Sequence, residues 1–205
     1  MKKLVGILVV SFCLVTATAF AGQPYFSGSV GAFMPNDSDL SNPFLIDENI
    51  ASAEISFDTG MALTLALGKD LDVLRVEGEL SYKTADMDKV SGTDIFGNSG
   101  SGSIDGDISS LSVMCNAWKD IKTGGNVTPY VGLGIGFAKL DAELFESEDD
   151  IVFAYQLGLG LGINLQENLI LDLSYRYFAT SDPDFGGIEA EFSSNNLMAG
   201  LRMNF

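Results

Sequence analysis

The chain has 205 residues, the size of one domain, with 11 Lys and Arg against 28 Asp and Glu and a formal net charge of −17. That balance repels nucleic acid and anionic membrane surfaces, so neither is an expected partner. There is no histidine anywhere in the sequence, which removes the commonest general base.

The chain opens on Lys2 and Lys3, runs through an apolar stretch from Leu4 to Val15 and reaches Ala19-Phe20-Ala21. This is the pattern of a secretory signal peptide, so residues 1–21 are expected to be cleaved and residues 22–205 to form the mature domain. The apolar run is too short for a spanning helix, which needs about 20 residues. Cys13 follows Phe12 where a lipoprotein processing site wants a small residue, so no lipid anchor is expected. Loss of Lys2 and Lys3 takes the charge from −17 to −19 and leaves Cys115 without a partner for an intramolecular disulfide. No later apolar run is long enough for a helix across a bilayer, so a membrane crossing would use strands.

Period-2 alternation then recurs along the chain. Residues 25–34 set Phe26, Gly28, Val30, Ala32 and Met34 against Tyr25, Ser27, Ser29, Gly31 and Phe33, and residues 35–53 read as a loop. Met61, Leu63, Leu65 and Leu67 oppose Gly60, Ala62, Thr64, Ala66 and Gly68. A tight turn at residues 69–72 leads to Leu74, Val76, Gly78, Leu80 and Tyr82, opposed by Arg75, Glu77, Glu79, Ser81 and Lys83. A Gly/Ser/Asp-rich loop is expected from about Asp86 to Ser103. The fourth stretch carries Leu111, Val113, Cys115 and Ala117, which puts Cys115 among the apolar residues as a small filler. In the fifth, Val131, Leu133, Ile135 and Phe137 oppose Tyr130, Gly132, Gly134, Gly136 and Ala138. An acidic loop, Asp141 to Asp150, precedes the sixth, where Phe153 to Ile163 at odd positions oppose Ala154, Gln156, Gly158, Gly160, Gly162 and Asn164. Leu169, Leu171, Leu173, Tyr175 and Tyr177 oppose Asp172, Ser174, Arg176 and Phe178 in the seventh. Leu197, Ala199, Leu201, Met203 and Phe205 oppose Met198, Gly200, Arg202 and Asn204 in the eighth.

Eight strands of about ten residues, joined by alternating long and short connections, predict an all-β fold: an eight-stranded antiparallel up-and-down barrel. A soluble barrel shares the alternation, so the question is which face points inward. An eight-stranded interior is just wide enough for side chains or one small ligand. Four or five Leu, Ile or aromatic residues per strand would overfill it, whereas the Gly-rich face fits. Phe57, Tyr82, Phe137, Phe153, Tyr155, Tyr175 and Tyr177 sort to the loop end of the outward face and Phe26 and Phe205 to the turn end, as the aromatic girdles of a membrane barrel do. The reading is a transmembrane barrel in a Gram-negative outer membrane.

T-P-Y-V-G-L-G-I-G-F at 128–137, Y-Q-L-G-L-G-L-G at 155–162, L-D-L-S-Y-R-Y-F at 171–178 and the terminal L-R-M-N-F resemble the OmpA/OmpX-type eight-stranded outer-membrane barrels, a group described broadly as porin-family proteins. The resemblance spans the whole mature chain and implies a cell-envelope protein surrounded by outer-membrane lipid and lipopolysaccharide. Because the sequence stops at Phe205, no peptidoglycan-binding domain is expected. The resemblance also implies that Leu201, Met203 and Phe205 form the signal read by the barrel-assembly machinery.

No enzyme activity is expected: barrels of this kind that act as acyltransferases, deacylases or proteases resemble one another in using a histidine. No cofactor and no defined metal site are expected either. Asp141, Glu143, Glu146, Glu148, Asp149 and Asp150 lack an Asp-x-Asp-x-Asp-Gly spacing, and at most bridge divalent cations loosely to lipopolysaccharide phosphates. The candidate site is the set of inward charges, Arg75, Glu77, Glu79, Lys83, Asp172, Arg176 and Arg202. Pairing Tyr177 with Leu197 sets Asp172 opposite Arg202, an expected ion bridge, with Glu77 and Glu79 reaching the other arginines. Two functions follow. Four acidic loops suit a structural or surface-interaction protein that meets an extracellular ligand. Gly-rich strands suit a narrow channel for ions or small polar solutes.

Overall fold

The computed structural model describes residues 22–39, 50–103, 106–142, 150–181, 184–185, 188–189 and 192–205, and among these there is no helix. The signal-peptide reading of residues 1–21 and most of the acidic loop lie outside the described residues.

The wall consists of β1 (Gln23–Pro35), β2 (Gly60–Asp70), β3 (Arg75–Asp94), β4 (Asp107–Asp120), β5 (Val127–Ala142), β6 (Asp150–Gln166), β7 (Leu169–Thr180) and β8 (Ser193–Asn204). Each pairs antiparallel with its chain neighbours, and β1 pairs with β8 from Tyr25 opposite Asn204 to Pro35 opposite Ser194, so the sheet closes. Closure leaves no free edge in the wall, which is what allows strands to stand in lipid. Val30, Met61, Leu63, Leu133, Leu157, Leu197 and their outward neighbours are exposed, while the opposite face is buried. The large apolar residues therefore lie outside and the small and polar ones inside.

The rims follow the same division. Tyr82, Phe153, Tyr155 and Tyr175 are exposed at the loop end, and Phe26 and Phe205 at the turn end. Phe57 departs from the expected girdle. It is only partly exposed and packs against the internal apolar cluster, because its segment, Ile50–Phe57, runs above the wall.

The segments read as loops at 35–53 and 86–103 are in part strands. β3 has 20 residues, where about ten cross a bilayer, and its outer half pairs with Ile50–Phe57 on one side and Ser99–Ser103 on the other. Ser38–Asp39 pairs with Ile55 and Glu54. Composition hides these strands because Ser99–Ser103 reads S-G-S-G-S. What makes them is the turn at residues 94–98. Asp94 Oδ1 accepts from the Phe96 and Asn98 amides at 2.8 Å, Asp94 N donates to Asn98 O at 2.9 Å, and Gly97 sits at φ 85°. That conformation suits glycine.

Candidate functional site: the filled lumen

The inner face at the turn end begins with aromatic rings set against glycines. Tyr25 packs on Gly68, Trp118 on Gly132 and Gly158, and Tyr130 on Gly160. Trp118 and Tyr130 meet edge to face, with centroids 5.6 Å apart and planes at 78°. The glycine face thus makes room for side chains from facing strands, and the space that favoured a channel on sequence grounds is occupied. The missed signal was Tyr25, Trp118 and Tyr130 on the face otherwise composed of small residues.

Charges are interleaved with these rings. Arg75 and Arg202 lie under 5 % exposed. Arg75 pairs with Asp120 through Nε at 3.0 and 3.1 Å and Nη2 at 3.0 Å, a two-pronged contact, and its guanidinium stands 4.8 Å from the Tyr130 centroid. Asp120, the next inward position after Trp118 on β4, lies outside the set of charges expected from sequence. Arg202 Nε lies 3.1 Å from Asp172 Oδ2 without hydrogen-bonding alignment, and Nη2 makes a long 3.5 Å bond to Oδ1. The expected register is two residues off: Tyr177 stands opposite Asn195, Asp172 opposite Gly200 and Arg202 opposite Ile170. The pair forms diagonally, within reach of a long arginine.

Higher in the lumen, Glu79 is paired with Arg176 and also accepts from Asn116 Nδ2 at 3.0 Å and Gln156 Nε2 at 3.4 Å. Glu77 does not bond to an arginine, contrary to expectation. Its carboxylate accepts from Tyr25 Oη at 2.7 Å, Trp118 Nε1 at 2.7 Å and Asn116 Nδ2 at 3.0 Å. Neutral donors satisfy it because Trp118 and Asn116 occupy the adjoining strand at its level.

Above Glu79 come the buried Ser81, Ser110 and Ser112, and beyond them the interior turns apolar. Phe33, Met87, Ile108, Leu140, Phe178 and Phe192 are buried together, with Phe192 6.3 Å from Phe33 and 6.4 Å from Phe178 between centroids. Lys83 is buried at this boundary, its Nζ 3.7 Å from the Phe178 centroid. Ionic and aromatic layers below, a buried polar block of Ser81, Ser110, Ser112 and Lys83, and an apolar cluster above occupy the described bore. Leu201, Met203 and Phe205 lie on the outer face, all exposed.

A family model, the outer membrane protein beta-barrel domain, matches residues 5–205. The chain belongs to that family. Its place is therefore the outer membrane, and among the described residues no helix is long and apolar enough to cross a membrane, so the crossing is made by strands. No curated protein sequence matches the chain. Among solved structures it is similar to Neisserial surface protein A, at 17% identity over 88% of this chain and 97% of that one, with a TM-score of 0.56. It is also similar to outer membrane protein OprG from Pseudomonas aeruginosa, at 16% identity over 90% of this chain and 96% of that one, with a TM-score of 0.58. At such identities the likeness establishes the barrel fold and leaves the lumen chemistry to this chain's own residues.

Among the described residues, no group of three or more Cys, Asp or Glu is arranged to hold a metal ion. Cys115 is half-buried on the outer face, beside Gly78 and Ile135.

Proposed function

We propose that this outer-membrane barrel acts through its loop end, as a structural or surface-interaction protein, and does not conduct solutes. The observation that carries this reading is the filled lumen: the Trp118–Tyr130 layer, the Arg75–Asp120 and Glu79–Arg176 pairs and the apolar cluster leave the glycines no open space to line.

The raised sheet supports the same reading. The outer half of β3 stands about ten residues, on the order of 30 Å of strand, beyond the length a bilayer needs. At its tip Ile95 is 52% and Phe96 79% exposed, on a turn held by the Asp94 carboxylate. A rigid aromatic anchor loses little entropy on binding, so such a tip suits an extracellular partner with an apolar pocket. Lipopolysaccharide and outer-membrane lipid surround the wall, and Leu201, Met203 and Phe205 serve the barrel-assembly machinery. With no histidine in the chain, the reading includes no catalytic step.

Planar-bilayer recording of the refolded protein tests it. A flat current trace over long times is expected. Unitary steps that persist in the purified protein would replace this reading with the channel.

A further inference from the structure

Three of the four lumen cations have a carboxylate: Arg75 has Asp120, Arg176 has Glu79 and Arg202 has Asp172. Lys83 has none within salt-bridge distance among the described residues. Glu77, the remaining lumen carboxylate, is held by neutral donors and stands six residues away on β3, on the order of 20 Å along the strand.

The neighbours of Lys83 are as unusual as its charge. Ser110 lies directly opposite Lys83 in the β3–β4 register, and Ser112 opposite Ser81. All four side chains point inward and are at most 5% exposed. The hydroxyl oxygens of Ser81, Ser110 and Ser112 are buried and have no hydrogen-bond partner among the described residues. A buried hydroxyl without a partner loses its hydration with nothing in return, so three side by side call for something to bond. The cross-strand neighbours are small, Ala62 beside Lys83 and Ala138 beside Ser112, so neither brings a polar group to the block.

A cation with three hydroxyl donors and no carboxylate within salt-bridge distance among the described residues, Glu79 acting on it only from the layer below and already paired with Arg176, is the donor set of a small monovalent anion. The geometry points to an enclosed halide-sized anion site formed by Lys83, Ser81, Ser110 and Ser112, between the Glu79–Arg176 layer and the apolar cluster. Chloride is the occupant that fits by size and charge. A buried amine beside the Phe178 face then has its counter-charge supplied by solvent, where the other three lumen cations take theirs from the chain.

The test is thermal unfolding of the refolded protein in detergent micelles, with chloride or bromide exchanged for gluconate at constant ionic strength. A ligand of the folded state raises the unfolding midpoint with the logarithm of its concentration. The midpoint of the parent protein is expected to rise with halide. It should be flat in Lys83→Met, whose side chain suits the apolar neighbours, and shallower in Ser110→Ala/Ser112→Ala, which keeps the charge. Crystals grown in bromide should show an anomalous peak within hydrogen-bond distance of Lys83 Nζ. Equal midpoints in halide and gluconate would overturn the proposal, as would the same halide response in Lys83→Met or water alone at the bromide position.

Discussion

Trp118 and Tyr130 stand edge to face across the β4–β5 step, 5.6 Å between centroids, and together cover Gly132, Gly158 and Gly160. A Cβ built on Gly158 would lie 2.8 Å from Trp118 Cη2, so glycine and indole are complementary shapes. Trp118→Ala deletes the ring while the glycines remain, and the strands cannot close in because their spacing is fixed by the ladder. A loss of about 3–5 kcal/mol in urea unfolding is expected, within the range for large-to-small changes in a core. Current steps absent from the parent should appear with it. Destabilisation with a still-flat trace would assign the seal to the apolar cluster above.

The Arg75–Asp120 pair makes a different prediction. Asp120→Asn leaves a buried guanidinium without its carboxylate, and breaking a buried pair on one side costs about 3–5 kcal/mol, less here because the Asp120 side chain keeps 23% of its exposure. Arg75→Met/Asp120→Leu removes both charges and should lie closer to the parent than either single change. A double-mutant cycle in which the two losses simply add would show that the pair carries no coupling.

Phe205 and Arg202 face opposite sides of the closing strand and should fail differently. Phe205→Ser exposes a polar group where an outward ring stood and is expected to reduce the yield of heat-modifiable, membrane-assembled protein. Arg202→Gln keeps the outer face intact, so assembly should stay near the parent while the unfolding midpoint shifts. Equal loss of assembled protein in both variants would contradict this division.

The turn at the tip gives a pH dependence. The Asn98 side chain, then the Asn98, Phe96 and Gly97 amides, donate toward Asp94 and hold its carboxyl below its ordinary range. A depressed folded-state value means that the turn gains stability above the unperturbed value, about 3.9, and loses it as the pH falls through the lower folded value. Nuclear magnetic resonance of the Asn98 amide should report an Asp94 titration midpoint below about 3.9 in the parent and closer to that value in Asn98→Ala. A midpoint at or above it in the parent would remove the turn's electrostatic basis.

The wall was legible because lipid imposes a simple rule: alternate residues must be apolar, and Leu63, Leu133, Leu159 and Leu201 obey it without interruption. The raised strands were not legible because above the bilayer neither face needs to be greasy, so Ser99–Ser103 carries no alternation. The inward set of charges could be read from parity, but their partners could not. Partners depend on register, and a two-residue slip keeps every face while moving each residue past a different neighbour. Asp172 still met Arg202 because arginine spans that offset, whereas Glu77 was claimed by Trp118 and Asn116.

The seam between β1 and β8 fixes an order of events in time. Phe205 N donates to Pro24 O at 3.0 Å, and Asn204 stands opposite Tyr25, so strands at the two extremes of the wall complete each other. Each of the other seven pairings joins neighbours along the chain, but this one waits until the whole wall has been synthesised. While that pairing is unmade, β1 and β8 each present one edge of unpaired backbone that a bilayer cannot tolerate, so closure has to accompany insertion.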